Sequence, residues 1–323
     1  MESRTLQVRR LPQLRRALLR WYDDNRRDLP WRRTRDPFRI WVSEIMLQQT
    51  RVAAVLPRYE KFLQRFPSVE ELASARLSSV LAEWSGLGYY RRARNLHAAA
   101  KVIARRAAGA FPESSDQWRK LPGIGRYTGA AIASIAFNEP IAVLDGNVER
   151  VLRRLLHCAT AGDSWKVAQE LLDRERPGDF NQAMMELGAT ICVPREPSCA
   201  RCPIRMFCRT RGAGELRSRK PPQIKAAVSF ALATKGDSVL LVQRGANESL
   251  MSGMWELPPH SIEKQEVLFR VRHSITVTDY VVSVVAQSEA SADVGEWIAR
   301  SKVHKLPLTG LTKKILRKAN IIE

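Results

Sequence analysis

Leu121-Pro122-Gly123-Ile124-Gly125-Arg126-Tyr127-Thr128 decides how the chain folds. A helix ends near Trp118, the chain turns through Gly123-Ile124-Gly125, and a second helix starts near Arg126. Glycine supplies the positive φ that a tight turn needs. It also lets backbone N–H groups approach an anion in front of a helix N-terminus, where the dipole favours negative charge. Any helical hairpin can use such a turn, so the motif predicts a hairpin first and a phosphate-holding hairpin second.

Outward from the hairpin, helical periodicity recurs over 11–22, 38–65, 77–106, 126–137 and 147–157, with turn signals at Leu29-Pro30, Phe66-Pro67, Gly86-Leu87-Gly88 and Phe111-Pro112. Leu11, Leu14, Leu18 and Trp21 mark an amphipathic first helix, and Arg9, Arg10, Arg15, Arg16 and Arg20 interrupt any signal-peptide core there. No apolar run approaches the ~18 residues of a membrane helix. After Cys208 the composition shifts. Residues 213–225 read as a linker, and 226–323 as a small separate α+β domain with strands at 226–234, 238–243 and 275–285 and a closing helix at 309–319. Residues 1–212 form the mainly helical part. The formal charge of +20 over 323 residues favours a polyanionic partner, chiefly nucleic acid; membrane-surface and ribosomal proteins share this trait.

Four of the five cysteines follow the spacing Cys192-x6-Cys199-x2-Cys202-x5-Cys208. Four thiolates in one loop can enclose a zinc ion or an iron–sulfur cubane; the long outer spacings suit the cubane. Arg195, Arg201, Arg205 and Arg209 interleave with the ligands and could face a phosphate backbone. Cys158 stands apart, on an apolar helix face, as a core thiol.

Two carboxylates stand out. Asp145 ends an apolar run that enters Asp-Gly-Asn and a helix, which fits an N-cap, a residue at a cleft mouth, or both. Glu44, in Ile40-Trp-Val-Ser-Glu-Ile-Met-Leu-Gln-Gln-Thr50, is the one acid of an apolar and amide segment. There it is either a solvated surface residue or a general acid held protonated by its surroundings. In Gly86-Leu-Gly-Tyr-Tyr-Arg-Arg-Ala93, Tyr89 and Tyr90 are either core aromatics or an aromatic wedge flanked by the phosphate contacts Arg91 and Arg92.

Taken together, these motifs resemble the adenine DNA glycosylases (the MutY type) of the helix-hairpin-helix, iron–sulfur superfamily, most closely over 29–208. The resemblance implies a helix-hairpin-helix glycosylase fold with an iron–sulfur loop and a [4Fe-4S] cluster on Cys192, Cys199, Cys202 and Cys208. It implies a monomer acting on double-stranded DNA, hydrolysing the bond to adenine opposite 8-oxoguanine or guanine, in a bacterial cytoplasm. Glu44 is then the acid that protonates adenine, and Asp145 stabilises the oxocarbenium-like sugar and assists water. Tyr127 stands where the endonuclease-III-type lyases carry a Schiff-base lysine; a phenol cannot form an imine, so base removal without strand cleavage is expected. By the same resemblance Gly123 and Gly125 hold DNA, Tyr89 is the wedge beside Arg91, and Gln48 and Gln49 probe the opened pair. Trp31, Arg32 and Glu186 line the adenine pocket.

Residues 239–258 resemble the Nudix-like domain with which these enzymes recognise 8-oxoguanine, but no Arg-Glu-x-x-Glu-Glu box follows Pro258, where Glu263 and Glu266 stand alone. No pyrophosphatase activity is therefore expected. The Phe-Ser-His run that reads the oxidised base in the family is replaced by Ile275, Thr276 and Val277 after His273-Ser274. Two alternatives remain at this stage: a superfamily member acting on mismatched thymine or oxidised pyrimidines, and a non-catalytic iron–sulfur DNA-binding protein.

Overall fold

A computed structural model describes residues 10–106, 110–156, 164–211, 224–245, 248, 251–261, 266–275, 277–287 and 295–322. Cys158, Glu263, Thr276 and most of the linker fall outside them. The chain divides into two compact units: Met1–Tyr59, Ser68–Glu70 and Ala98–Arg217, and Glu60–Pro67, Glu71–His97 and Ser218–Glu323. Reading helix and strand content along the chain gives no hint that 60–67 and 71–97 group with the C-terminal residues. No helix among the described residues is long and apolar enough to cross a membrane.

The first unit is helical. It is built mainly from α1 (Leu11–Asn25), α2 (Pro37–Leu47), α7 (Ser115–Trp118), α8 (Arg126–Phe137), α9 (Gly146–Leu156), α10 (Ser164–Leu171) and α11 (Pro177–Thr190). The first helix buries Leu14, Leu18, Leu19 and Tyr22, a stripe turned slightly from the expected one, which had Trp21 in it. Asp36 caps α2 by accepting from the Phe38 and Arg39 N–H groups, with Pro37 at the first helical position. Every residue of α2 from Phe38 to Met46 except Arg39 is buried, so little of the helix meets solvent. It packs against α8, and α11 packs against α1, α8 and α9. At the α9–α11 crossing Gly188 is a matter of space: a Cβ there would lie 2.7 Å from the Asn147 Cβ.

The periodic stretch 38–65 proves to be two helices, α2 and α3 (Val52–Arg65), broken at Gln48–Arg51. The break has no proline or glycine; Gln49 itself takes a left-handed φ of 54°. The stretch 77–106 likewise divides into α5 (Leu77–Glu83) and α6 (Arg91–Ala104). Gly86, Gly88 and Tyr89 all take positive φ between them.

The second unit joins α5, the end of α3, most of α4 (Val69–Ser74) and the first half of α6 to two small sheets. One has the order β1–β6–β5: β1 (Ile224–Leu232) runs parallel to β6 (Thr278–Ala286), and β5 (Val267–Ile275) pairs with β6 as a hairpin. Strand β5 was not foreseen. In the other sheet β3 (Ser238–Gln243) pairs with β2 (Thr234–Lys235), β4 (Trp255–Glu256) and β7 (Glu296–Ala299). After α12 (Arg300–Val303), α13 (Gly310–Lys318) closes the unit where the closing helix was expected. Its Lys314 and Lys318 ammonium groups donate to the Arg272 and Arg270 carbonyls at 2.7 and 3.0 Å, occupying edge groups of β5. Within this unit Ser85 Oγ and Tyr90 Oη both donate to the Leu308 carbonyl, each at 3.3 Å.

Candidate active site

One cleft of about 1070 Å³ in the first unit is lined by Trp31, Arg32, Glu44, Gln48, Gln49, Gly125, Tyr127, Asp145 and Glu186. Residues from five separate stretches of sequence thus meet around one space.

Glu44 is 6% exposed, in the run Ile40–Met46 of α2 that is buried throughout. The Tyr127 hydroxyl, from the first turn of α8, donates to Glu44 Oε2 at 3.0 Å and also reaches Met185 Sδ at 3.1 Å. Burial pushes the Glu44 carboxyl up to about 7, against the Tyr127 hydrogen bond; the Asp145 charge adds to the rise and Arg32 opposes it. A carboxyl with that pKa is a proton donor at neutral pH. The surface alternative for Glu44 is excluded.

Asp145 caps α9. Its Oδ1 accepts from the Val148 N–H at 2.7 Å and its Oδ2 from Asn147 Nδ2 at 2.9 Å. Cap and cleft residue are therefore one and the same, and both oxygens are fixed in place. Asn147 Oδ1 in turn accepts from Arg150 Nη2 at 2.8 Å. Arg150 also donates to the carbonyls of Gly188, at 2.7 Å, and Cys192, at 2.8 Å. A continuous run of hydrogen bonds thus joins Asp145 to the start of the cysteine loop. Sequence reading missed Asn147 and Arg150, since a helical Asn and Arg announce no such partner.

Glu186 is buried on α11. It accepts from Arg27 N, Nε and Nη2 at 3.1, 2.8 and 2.6 Å and from Arg32 Nη2 at 2.8 Å. Burial alone would raise its pKa, but these bonds outweigh it and hold the carboxyl at about 2. Arg27 is a site residue that no sequence signal marked. Trp31 packs edge-on against Tyr59, with ring centroids 5.2 Å apart. Gln48 Nε2 donates to Thr128 Oγ1 at 3.0 Å, tying the end of α2 to α8, while Gln49 is exposed.

The hairpin forms as expected. Gly123 has φ 76°, and Gly125 sits before α8 with no side-chain cap and open space where a Cβ would be. In the second unit the tyrosine pair splits: Tyr90 is 5% exposed and tied to Leu308, whereas Tyr89 is 44% exposed with Arg92 against its ring at 5.3 Å. Arg91, the first residue of α6, is exposed.

Cys192, Cys199, Cys202 and Cys208 are free thiols that line one small cavity of about 30 Å³. The buried Arg154, one turn after Arg150, donates to Cys192 Sγ at 3.4 Å and to the Val193 and Pro194 carbonyls at 2.7 and 2.9 Å. The Arg211 N–H donates to Cys208 Sγ at 3.4 Å. Burial pushes the Cys202 thiol up to about 11; a hydrogen bond from the Ile204 backbone opposes the rise and the charges of the other three cysteines add to it. Four converging thiols with N–H donors aimed at their sulfurs fit a cationic metal centre, which would hold them as thiolates.

Residues 42–177 match the family described as HhH-GPD superfamily base excision DNA repair protein. The segment 42–177 is thus an HhH-GPD domain. Among its relatives, the adenine DNA glycosylase of Rattus norvegicus is 39% identical over 313 residues, covering 77% of this chain and 60% of that protein. The adenine DNA glycosylase of Homo sapiens is 38% identical, covering 79% and 59%, and that of Arabidopsis thaliana 37%, covering 82% and 50%. The chain spans half to three fifths of the length of these relatives. A thermostable thymine-DNA glycosylase structure superposes with a TM-score of 0.59 at 29% identity, over 64% of this chain and 98% of that one. An endonuclease III–DNA complex shares the HhH-GPD fold with a TM-score of 0.56 at 23% identity, again over 64% and 98%.

Proposed function

We propose that this chain is a monofunctional adenine DNA glycosylase that hydrolyses the N-glycosidic bond of adenine opposite 8-oxoguanine or guanine in double-stranded DNA. One observation carries the reading: a buried Glu44, accepting from the Tyr127 hydroxyl, and an Asp145 carboxylate oriented by the Val148 N–H line the same cleft. The similarity to adenine DNA glycosylases over more than three quarters of this chain selects the base.

The target nucleotide leaves the stack before chemistry. Tyr89, exposed on its glycine turn, is the wedge, and the Gly123–Gly125 hairpin and Arg91 hold phosphates. Trp31, Arg32 and Glu186 receive the base, with Gln48 and Gln49 at the opened pair. Glu44 passes its proton to a ring nitrogen of adenine, and the C1′–N9 electron pair departs with the base. Asp145 faces the positive charge left on the sugar, and its two anchored oxygens need no rearrangement to do so. Water then adds to C1′ and gives up its proton toward Asp145. Tyr127 offers no amine, so the product is an abasic site in an intact strand.

The four cysteines would hold a [4Fe-4S] cluster, which when bound clips the 192–208 loop to α9. Supporting a cubane over zinc, the outer spacings Cys192-x6-Cys199 and Cys202-x5-Cys208 are longer than those of paired zinc knuckles. Ile275 pairs with Thr278 where β5 and β6 meet, and the sequence there lacks the imidazole with which the family reads 8-oxoguanine.

A single-turnover excision panel tests this: A opposite 8-oxoguanine, A opposite G and T opposite G. Release of adenine from the first two is expected, with no strand break and no adduct trapped by borohydride. Release of thymine alone would overturn the assignment.

A further inference from the structure

The segment leading to Asp145 is held in an unusual way. Residues 138–145 belong to no helix or strand, yet Ala142 and Val143 are buried. Their backbone groups need partners. Two carboxamides supply them. Gln169, on α10, accepts from the Ala142 N–H at 2.9 Å and donates to the Pro140 carbonyl at 2.8 Å. Asn181, on α11 and 2% exposed, accepts from the Val143 N–H at 3.1 Å and donates to the Ile141 carbonyl at 2.9 Å.

Each carboxamide spans the carbonyl of one residue and the N–H two residues later, which is the offset of groups on one edge of an extended chain. The second pair lies one residue on from the first, so it takes the opposite edge. The two side chains imitate neighbouring strands on both sides of a single strand. Asn181 is braced in turn by Nδ2 donating to Ser134 Oγ of α8 at 2.9 Å.

We propose that Gln169 and Asn181 are positioning residues that clamp residues 140–143 between α10 and α11 and thereby set where the Asp145 carboxylate stands in the cleft. The clamp fixes the chain before Asp145, as Val148 and Asn147 fix its two oxygens after it. Neither side chain touches substrate. Without the clamp the segment can slide along its own axis, and a shift of about 1 Å at a catalytic group can cost about a hundredfold in rate. The proposal rests on the glycosylase reading above.

The variants Gln169→Glu and Asn181→Asp keep the accepting oxygen and lose the donating NH2. Gln169→Met removes both bonds without adding charge; this side chain is only half-buried, so the variant folds even if Asn181→Asp does not. Leu18→Val, a core truncation in α1, controls for lost stability. In the full chain, single-turnover adenine release should fall about tenfold or more in each clamp variant, with binding of an uncleavable duplex within about twofold of wild type. A second readout separates position from stability. The groups facing Glu44 are Tyr127, Asp145 and Arg32. An Asp145 that drifts away raises Glu44 less, so the high-pH fall of the rate should move to lower pH. If wild type releases adenine and the clamp variants match Leu18→Val in rate and pH profile, the clamp is overturned alone. If wild type releases none, the functional reading falls and the role given to the clamp falls with it.

Discussion

Glu44 is the residue on which the chemistry and the stability of the first unit meet. In the role of acid proposed above, a carboxyl with a pKa near 7 acts only while protonated, so the single-turnover rate should be level in mild acid and decline above pH 7. A rate that rises through that window would remove Glu44 from the role of acid. Tyr127→Phe removes a hydrogen bond that favours the charged carboxylate, so the decline should shift to higher pH. The same burial sets a stability cost with a definite sign. The folded carboxyl, at about 7, holds its proton more tightly than the unfolded one at 4.5. Stability therefore falls as pH rises from 4.5 to 7 and is level above, the total being on the order of 3 kcal/mol. Glu44→Gln should abolish excision and yet raise stability at pH 8 by an amount of that order, with the gain vanishing below pH 4.5. Urea unfolding of both proteins at the two pH values is the measurement.

Among elements, the α9–α11 crossing bears most directly on Asp145. Gly188→Ala places a methyl 2.7 Å from the Asn147 Cβ, which forces the helices apart at a cost of roughly 1–3 kcal/mol. Because Asn147 holds Asp145, excision should fall by more than the loss of folded protein explains. Arg150→Met cuts four hydrogen bonds at once, to Gly146, Asn147, Gly188 and Cys192. Slower excision together with a cysteine loop more readily stripped of its metal is expected; iron analysis at about four irons per chain, before and after chelator, reads the second effect. Much of this architecture was legible in the sequence wherever a residue type admits few uses. Gly123 and Gly125 point to a turn and the four cysteines to a shared centre, whereas Glu44 left two readings open until its burial decided between them. What stayed hidden depends on partners far along the chain. Gln169, Asn181, Arg27 and Arg150 are ordinary residues of helices or their flanks, and only tertiary packing shows what their polar atoms meet. The break at Gln48–Arg51 escaped for a local reason: Gln49 adopts its left-handed backbone without being glycine, and the apolar period runs across it.

For the whole molecule, the surplus of twenty positive charges predicts duplex binding that weakens steeply with salt. Affinity for an uncleavable duplex should drop at least about tenfold between 50 and 200 mM salt; fluorescence anisotropy reads this directly, and a flat response would remove phosphate contact as the main source of affinity. The second unit adds a constraint on truncation. Deleting residues 226–323 removes the Leu308 carbonyl that Ser85 and Tyr90 share, so the turn bearing Tyr89 should lose protection from hydrogen exchange, and cutting there does not leave a neat helical half.

That shared carbonyl also orders events during synthesis. Ser85 and Leu308 are 223 residues apart in the chain, and contacts of such separation are slow to close. Every residue lining the large cleft precedes residue 190. A nascent chain growing at typical rates therefore has every residue of the cleft roughly ten seconds before the acceptor for Ser85 and Tyr90 is made. During that interval the Tyr89 turn lacks its Leu308 anchor, so the residues proposed for the chemistry are synthesised before the element proposed to open the duplex can be completed.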